Sequence, residues 1–251
     1  MSVQSVPTIS RPKQSVHPRP VPSVRLPPLC AGDRLSRAEF ERRYQAHPEI
    51  KKAELIEGVV YMPTPVRFEQ HGRPHFNIIT WLGTYCAATP GIVAGGDNAA
   101  VRLDFENEVQ PDALLRLEPE VGGRSRVTED DYLEGPPELV VEIATSSAAY
   151  DLHDKRRVYA RSGVLEYLVV QMYEQRLDWF ILREGVYETL TPDADGVLRS
   201  ETFPGLWLQS SALWSGDLAA MLAVLREGLA SPERVTFQAR LQAQLEGARQ
   251  A

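Results

Sequence analysis

The sequence predicts an α/β protein, a mixed sheet flanked by helices, with a helix and hairpin before the sheet and further helices after it. Three observations predict it. "PELVVEIAT" sets Leu, Val and Ile on both sides of one acid, as in a strand buried on both faces. "YDLHDKRRVYARSG" then reads as a helix stopped by Gly163, and "LEYLVVQ" as a second strand, so a helical crossover links two strands in parallel. "QRLDWFILREGVYETL" adds an antiparallel ribbon.

The remaining elements follow in chain order. Residues 1–28 mix Pro, Ser and Val with Arg and Lys but no acid, the composition of a disordered tail without a signal-peptide core. "GDRLSRAEFERRYQAHPE" predicts a short helix with Asp33 or Ser36 as its N-cap. "KKAELIEGVVYMPT" alternates around Glu57-Gly58 and predicts a hairpin. In "HGRPHFNIITWLGTYCAAT", Phe76, Ile79, Leu82 and Cys86 fall at helical spacing, with Pro74 suited to the first turn and "PGIVAGG" ending the helix. "NAAVRLDFENEVQPDALLRLE" predicts two strands around "ENE". After "FPGLWLQSSALW" the chain turns helical at "GDLAAMLAVLREGL", and residues 229–251 form a polar terminal helix. One domain is thus expected over residues 29–228, between the tail and that helix.

Composition narrows the function. The chain of 251 residues carries 34 acids and 27 bases, a formal charge of −7, which argues against a protein that coats nucleic acid non-specifically. An enzyme that meets nucleic acid through one local patch stays compatible with that charge. Cys30 and Cys86 lack any Cys-His ligand spacing, which fits a reducing, cytoplasmic setting without a disulfide framework. No apolar run is long enough to span a membrane.

The informative anomaly is Glu142 inside "LVVEIA", where a charge is disfavoured unless something offsets it. A structural ion pair would do so. So would a cation: "VQPDALL" sets Asp112 near the start of another apolar strand, and if the two strands are neighbours both acids converge at one sheet edge. Two carboxylates so close raise each other's pKa unless a cation lies between them. Oxygen ligands with room for water suit Mg²⁺, and a lysine from the following helix could polarise an attacking water, giving metal-assisted phosphodiester hydrolysis. Each residue also has a plainer reading. Asp112 can be a turn residue, His71 a helix-start residue, Lys155 with Arg156 and Arg157 a solvated face, and Asp151 and Asp154 first-turn acids.

"QPDALL" followed by "PPELVVEIATSS" and "YDLHDKRRVYARSGVLEYLVV", with "ELIEGVVYMPTP", "HGRPHFNIITWL" and "FPGLWLQSSALW" in order, resembles the PD-(D/E)xK nuclease superfamily and, within it, the Uma-type family of restriction-endonuclease-like proteins. The resemblance runs from about Leu35 to about Trp214 and implies an αβββαβ nuclease core, a Mg²⁺ or Mn²⁺ cofactor, nucleic acid (DNA) as partner, and a homodimer. It matches Asp112 and Glu142 to the metal-binding acids and Ile143, through its carbonyl, to a third ligand. Where the superfamily has a lysine two positions after the second acid, this chain has Ala144, and Lys155 matches the helix-borne lysine of the Uma-type pattern, implied to assist the attacking water. Glu57 and His71 match further family positions, and Glu54 is the adjacent acid of the same motif; which of Glu54 and Glu57 faces the site stays open, with Glu54 preferred because hairpin turns attract acids for local reasons. The other function class is a catalytically degenerate nuclease fold acting as a binding or assembly module.

Overall fold

The structure, a computed structural model, describes residues 26–63, 67–96, 99–145 and 150–250. The tail expected over residues 1–28 lies almost wholly outside them. Ser36 caps α1 (Arg37–Ala46), its hydroxyl accepting from the Glu39 N–H at 3.4 Å. The hairpin follows as β1 (Glu54–Ile56) and β2 (Val59–Tyr61). Its two-residue turn, Glu57-Gly58, has positive φ at both positions (49° and 72°), the conformation that suits the twist of paired strands. Leu29, Phe40, Ala53, Leu55 and Val60 close a small core between helix and hairpin.

A π-helical turn (Phe68–Gly72) leads into α2 (Arg73–Ala88). The buried stripe of α2 is Ile78, Trp81, Leu82 and Tyr85, whereas Phe76 is 63% exposed. The expected stripe through Phe76, Ile79 and Cys86 is therefore rotated, because this helix is apolar on more than one side and the sheet selects the face with the larger rings. "PGIVAGG" does more than end the helix: it supplies β3 (Ile92–Gly96), the edge strand of the main sheet. The next stretch yields three strands, β4 (Val101–Arg102), β5 (Glu108–Val109) and β6 (Ala113–Leu117). Pro111 cannot donate to a ladder, and there the chain leaves the small sheet for the large one.

Next come β7 (Arg126–Val127), β8 (Leu133–Glu134) and the fully buried β9 (Leu139–Ala144). A second π-helical turn (Asp151–Lys155) opens α3 (Arg156–Ser162), which ends at Gly163, and the crossover delivers β10 (Glu166–Gln171) parallel to β9. The ribbon is β11 (Arg176–Arg183) with β12 (Val186–Thr189). A two-stranded pair, β13 (Val197–Arg199) and β14 (Trp207–Gln209), precedes α4 (Ser210–Ser215), α5 (Leu218–Leu229) and α6 (Pro232–Gln250).

The main sheet has the order β12-β11-β10-β9-β6-β3, and the small one β2-β1-β5-β4-β8-β7. Taken as α2-β3-β6-β9-α3-β10, the core is αβββαβ. Its two faces are segregated by the strand period of two. Ala113, Leu115, Val141 and Ile143 pack with α2, α5 and α6, Phe237 and Leu241 of α6 among them. Leu114, Val140 and Ala144 pack with Val158 and Tyr159 of α3 and with Ile56, Val101 and Val109 of the small sheet. No helix among the described residues is long and apolar enough to cross a membrane.

Candidate active site

The antiparallel ladder between β6 and β9 pairs Leu115 with Leu139, Leu114 with Val140 and Ala113 with Val141, and stops there. Asp112 and Glu142 stand one step beyond. Leu114 and Val140 face the α3 side, so Asp112 and Glu142, two residues from each, share that face. The Ile143 N–H continues past the end of the ladder and donates to Asp112 Oδ2 at 2.8 Å. The Ala144 carbonyl accepts from Met172 N–H, on the far side of β9, so the alternation turns the Ile143 carbonyl toward Asp112.

Three cationic or imidazole side chains approach this edge. His71, on the first π turn, places Nε2 3.2 Å from Asp112 Oδ2, and Lys52 places Nζ 3.6 Å from Oδ1. Burial opposes ionisation of Asp112, but the His71 hydrogen bond, the Lys52 charge and the Ile143 N–H outweigh it and hold the carboxyl well below its ordinary value. The Asp112 main chain is fixed as well. His75 Nε2 lies 2.7 Å from its carbonyl oxygen, and β3 passes so close that a Cβ on Gly96 would sit 2.8 Å from that oxygen. Only glycine permits that approach.

Lys155 lies at the centre of the acids. Its Nζ is 2.9 Å from Glu142 Oε1, 3.0 Å from Glu54 Oε1 and 3.8 Å from Asp151 Oδ1. The Tyr159 hydroxyl donates to Glu142 Oε1 at 3.0 Å, and the Gln110 N–H donates to Glu54 Oε1 at 2.7 Å. Burial pushes the Glu142 carboxyl up, to about 8, with Asp112, Asp151 and Glu54 adding to the rise and Lys155 opposing it. Burial also works against the Lys155 ammonium, but Glu142, Glu54 and Asp151 more than offset it and hold it well above its ordinary value.

A cavity of about 310 Å³ opens on these groups, lined by Lys52, Glu54, His71, Asp112, Glu142, Ile143, Asp151 and Lys155 among others. Each residue singled out from the sequence for the site is therefore in one place. Glu57 is elsewhere: it sits in the hairpin turn and pairs with Arg157 and Arg161. Ala144 is fully buried against the α3 cluster, and its methyl group does not line the cavity. Sequence reasoning missed Lys52 and took Asp151 for a helix-dipole acid. The available signal was spacing, since Lys52 and Glu54 are two apart in an extended segment and share a face, and Asp151 and Lys155 are four apart across a helical turn.

The donor set suits a hard divalent cation. Four carboxyl groups, those of Glu54, Asp112, Glu142 and Asp151, line the cavity together with the ammonium groups of Lys52 and Lys155. Asp112, Glu142 and the Ile143 carbonyl supply oxygen only, and an ion such as Mg²⁺ is commonly held by one or two carboxylates with water filling its remaining positions. Among the described residues, no group of three or more His, Cys, Asp or Glu side chains forms a ready-made cage.

Residues 37–211 match the model of a family, Uma2, described as "Putative restriction endonuclease". A solved structure described as a putative nuclease belonging to DUF820, from Anabaena variabilis, superposes with a TM-score of 0.56 at 14% identity, over 72% of this chain and 98% of that one. At that identity the likeness concerns the fold. No curated protein matches the sequence.

Proposed function

The chain belongs to the Uma2 family of putative restriction endonucleases, and from that premise we propose that it is a Mg²⁺-dependent endonuclease hydrolysing phosphodiester bonds in DNA. The observation that supports this most is the pair Asp112 and Glu142, projected from one sheet face at the point where the ladder stops, in a cavity lined by four carboxyl groups. Asp112, Glu142 and the Ile143 carbonyl are the groups that would hold the ion, with Mn²⁺ as a substitute. When bound there, a divalent ion supplies Lewis-acid charge to the phosphoryl group and lowers the pKa of a bound water.

The chain's own residues prepare that chemistry. His71 and the Ile143 N–H both bind Asp112 Oδ2, which fixes the carboxylate and leaves Oδ1 turned toward Lys52. Tyr159 and Lys155 both bind Glu142 Oε1 and fix the second acid in the same way. Lys155 takes the place of the side chain missing at Ala144, and at 4% side-chain exposure, among three carboxylates, its role is to position Glu142 and Glu54. Two copies acting on opposite strands would suit cleavage of a duplex.

Purified protein incubated with plasmid DNA and with RNA, in Mg²⁺ or Mn²⁺, tests the reading. Metal-dependent nicking that vanishes in Asp112→Asn is the expected result, and no cleavage of either polymer by folded, metal-loaded protein would refute it. The engagement of Lys155 by acids favours one second reading, a folded module that binds nucleic acid without cutting it. Binding without cleavage would identify that case.

A further inference from the structure

Two lysines line the cavity, and they are differently placed. Lys155 is 4% exposed, and its ammonium has two carboxylate oxygens at 2.9 and 3.0 Å and a third at 3.8 Å. One of its protons goes to Glu142, and the Glu54 and Asp151 carboxylates lie within ion-pair reach on its other sides. Lys52 stands on the segment entering β1 and is 25% exposed. Its Nζ lies 3.6 Å from Asp112 Oδ1, beyond ordinary hydrogen-bond length, so it is attracted to that acid without being engaged by it. Ala53 beside it is fully buried and Glu54 lies in β1, so the backbone that carries Lys52 is anchored while the side chain reaches the cavity.

A phosphodiester entering a cavity rich in carboxylates needs a cation of the protein's own on its approach. Among the described residues, the cationic or imidazole side chains on the cavity wall are Lys52, His71 and Lys155. His71 is committed to Asp112 Oδ2, and Lys155 is enclosed. We propose that Lys52, rather than Lys155, is the ammonium that meets the substrate, binding a non-bridging oxygen of the scissile phosphate beside Asp112. This rests on the nuclease reading above. It separates two roles that one lysine would otherwise combine: Lys155 organises the acids, and Lys52 contacts the nucleic acid.

The test uses the full chain, a short fluorescein-labelled DNA duplex and its single strand. Binding is read by anisotropy in Ca²⁺ over a salt series, and cleavage in Mn²⁺. Lys52→Ala should melt within a few degrees of the parent and retain Mn²⁺ binding. Its DNA affinity should fall roughly 3- to 10-fold, with a salt slope smaller by about one, and its cleavage about 100-fold or more. Lys52→Arg should restore binding, and Lys51→Ala, which removes the adjacent surface charge, should change neither readout. Parent-like salt slope and cleavage in Lys52→Ala, alongside an active parent and an inactive Asp112→Asn, would overturn the Lys52 role and leave the nuclease reading standing. A parent that neither binds nor cuts DNA would overturn both.

Discussion

Asp112 Oδ2 accepts the Ile143 N–H at 2.8 Å, so the acid that faces the cavity also joins the start of β6 to the end of β9. Asp112→Asn keeps an oxygen acceptor and should fold, with loss of cleavage and of metal binding. Asp112→Ala removes the acceptor as well and leaves a buried N–H unpaired, which should cost about 1–3 kcal/mol in denaturant unfolding. Equal stability of the two variants would show that this bond does not hold the strands.

Glu142→Gln and Lys155→Met should behave unequally. In Glu142→Gln, Lys155 keeps Glu54 at 3.0 Å, so the ammonium is not orphaned and the stability change should stay within about 1 kcal/mol, while metal affinity collapses. In Lys155→Met the acids lose the charge they share. Stability at neutral pH should fall by about 3–5 kcal/mol and recover in part when Mg²⁺ is added. Melting curves with and without the ion check both.

Glu54 and Glu57 are both acids of the "ELIEG" stretch, and they should separate cleanly. Glu54 is 3% exposed beside Lys155, whereas Glu57 forms ion pairs at the surface with Arg157 and Arg161. Glu54→Gln should impair cleavage about 100-fold. Glu57→Asn should leave cleavage unchanged and cost less than about 1 kcal/mol, as exposed pairs do. Comparable loss of cleavage in the two variants would place the turn at the site.

A pH effect should arise away from the cavity, at Glu108. Both of its carboxylate oxygens are buried without a hydrogen-bond partner among the described residues. Burial raises this carboxyl to about 8, Glu41 adds to the rise, and Arg102 and Arg37 oppose it. The folded chain therefore keeps a proton that the unfolded chain, at the ordinary value of 4.5, has lost. That contribution to stability is complete below 4.5 and disappears as pH rises through about 8. Glu108→Gln should flatten the decline and be more stable than the parent above pH 8, by about 5 kcal/mol at most. Parallel stability profiles in the two proteins would rule this out.

The sequence made the strand around Glu142 legible, because an acid between Val141 and Ile143 has few ordinary explanations. The crossover was legible too, since Gly163 stops a helix between two apolar strands. The buried face of α2 was not. Ile78, Trp81 and Tyr85 satisfy the helical period as well as Phe76, Ile79 and Cys86 do, and only the sheet beneath decides between them. β3 was hidden by its glycines, whose purpose at Gly96 is a close approach to Asp112 that exists only after folding. Lys52 was not legible as a site residue, because nothing local tells a lysine that points at water from one that points at a carboxylate 60 positions away in the chain.

His71 and Lys155 each belong to a wide π turn that narrows into a helix, at Phe68–Gly72 and Asp151–Lys155. Such a turn holds one residue more than the α-helix it precedes, and one residue corresponds to about 100° of rotation. Each helix is thereby indexed twice, once for the side chains that dock on the sheet and once, offset, for the side chain that faces the cavity. Lineages of this chain can then exchange core residues on α2 and α3 without re-aiming the imidazole or the ammonium. Loss of a single codon in either turn would rotate the polar group out of the cavity while the helix stayed docked, a route to a folded protein without its site that leaves the contacts between helix and sheet in place.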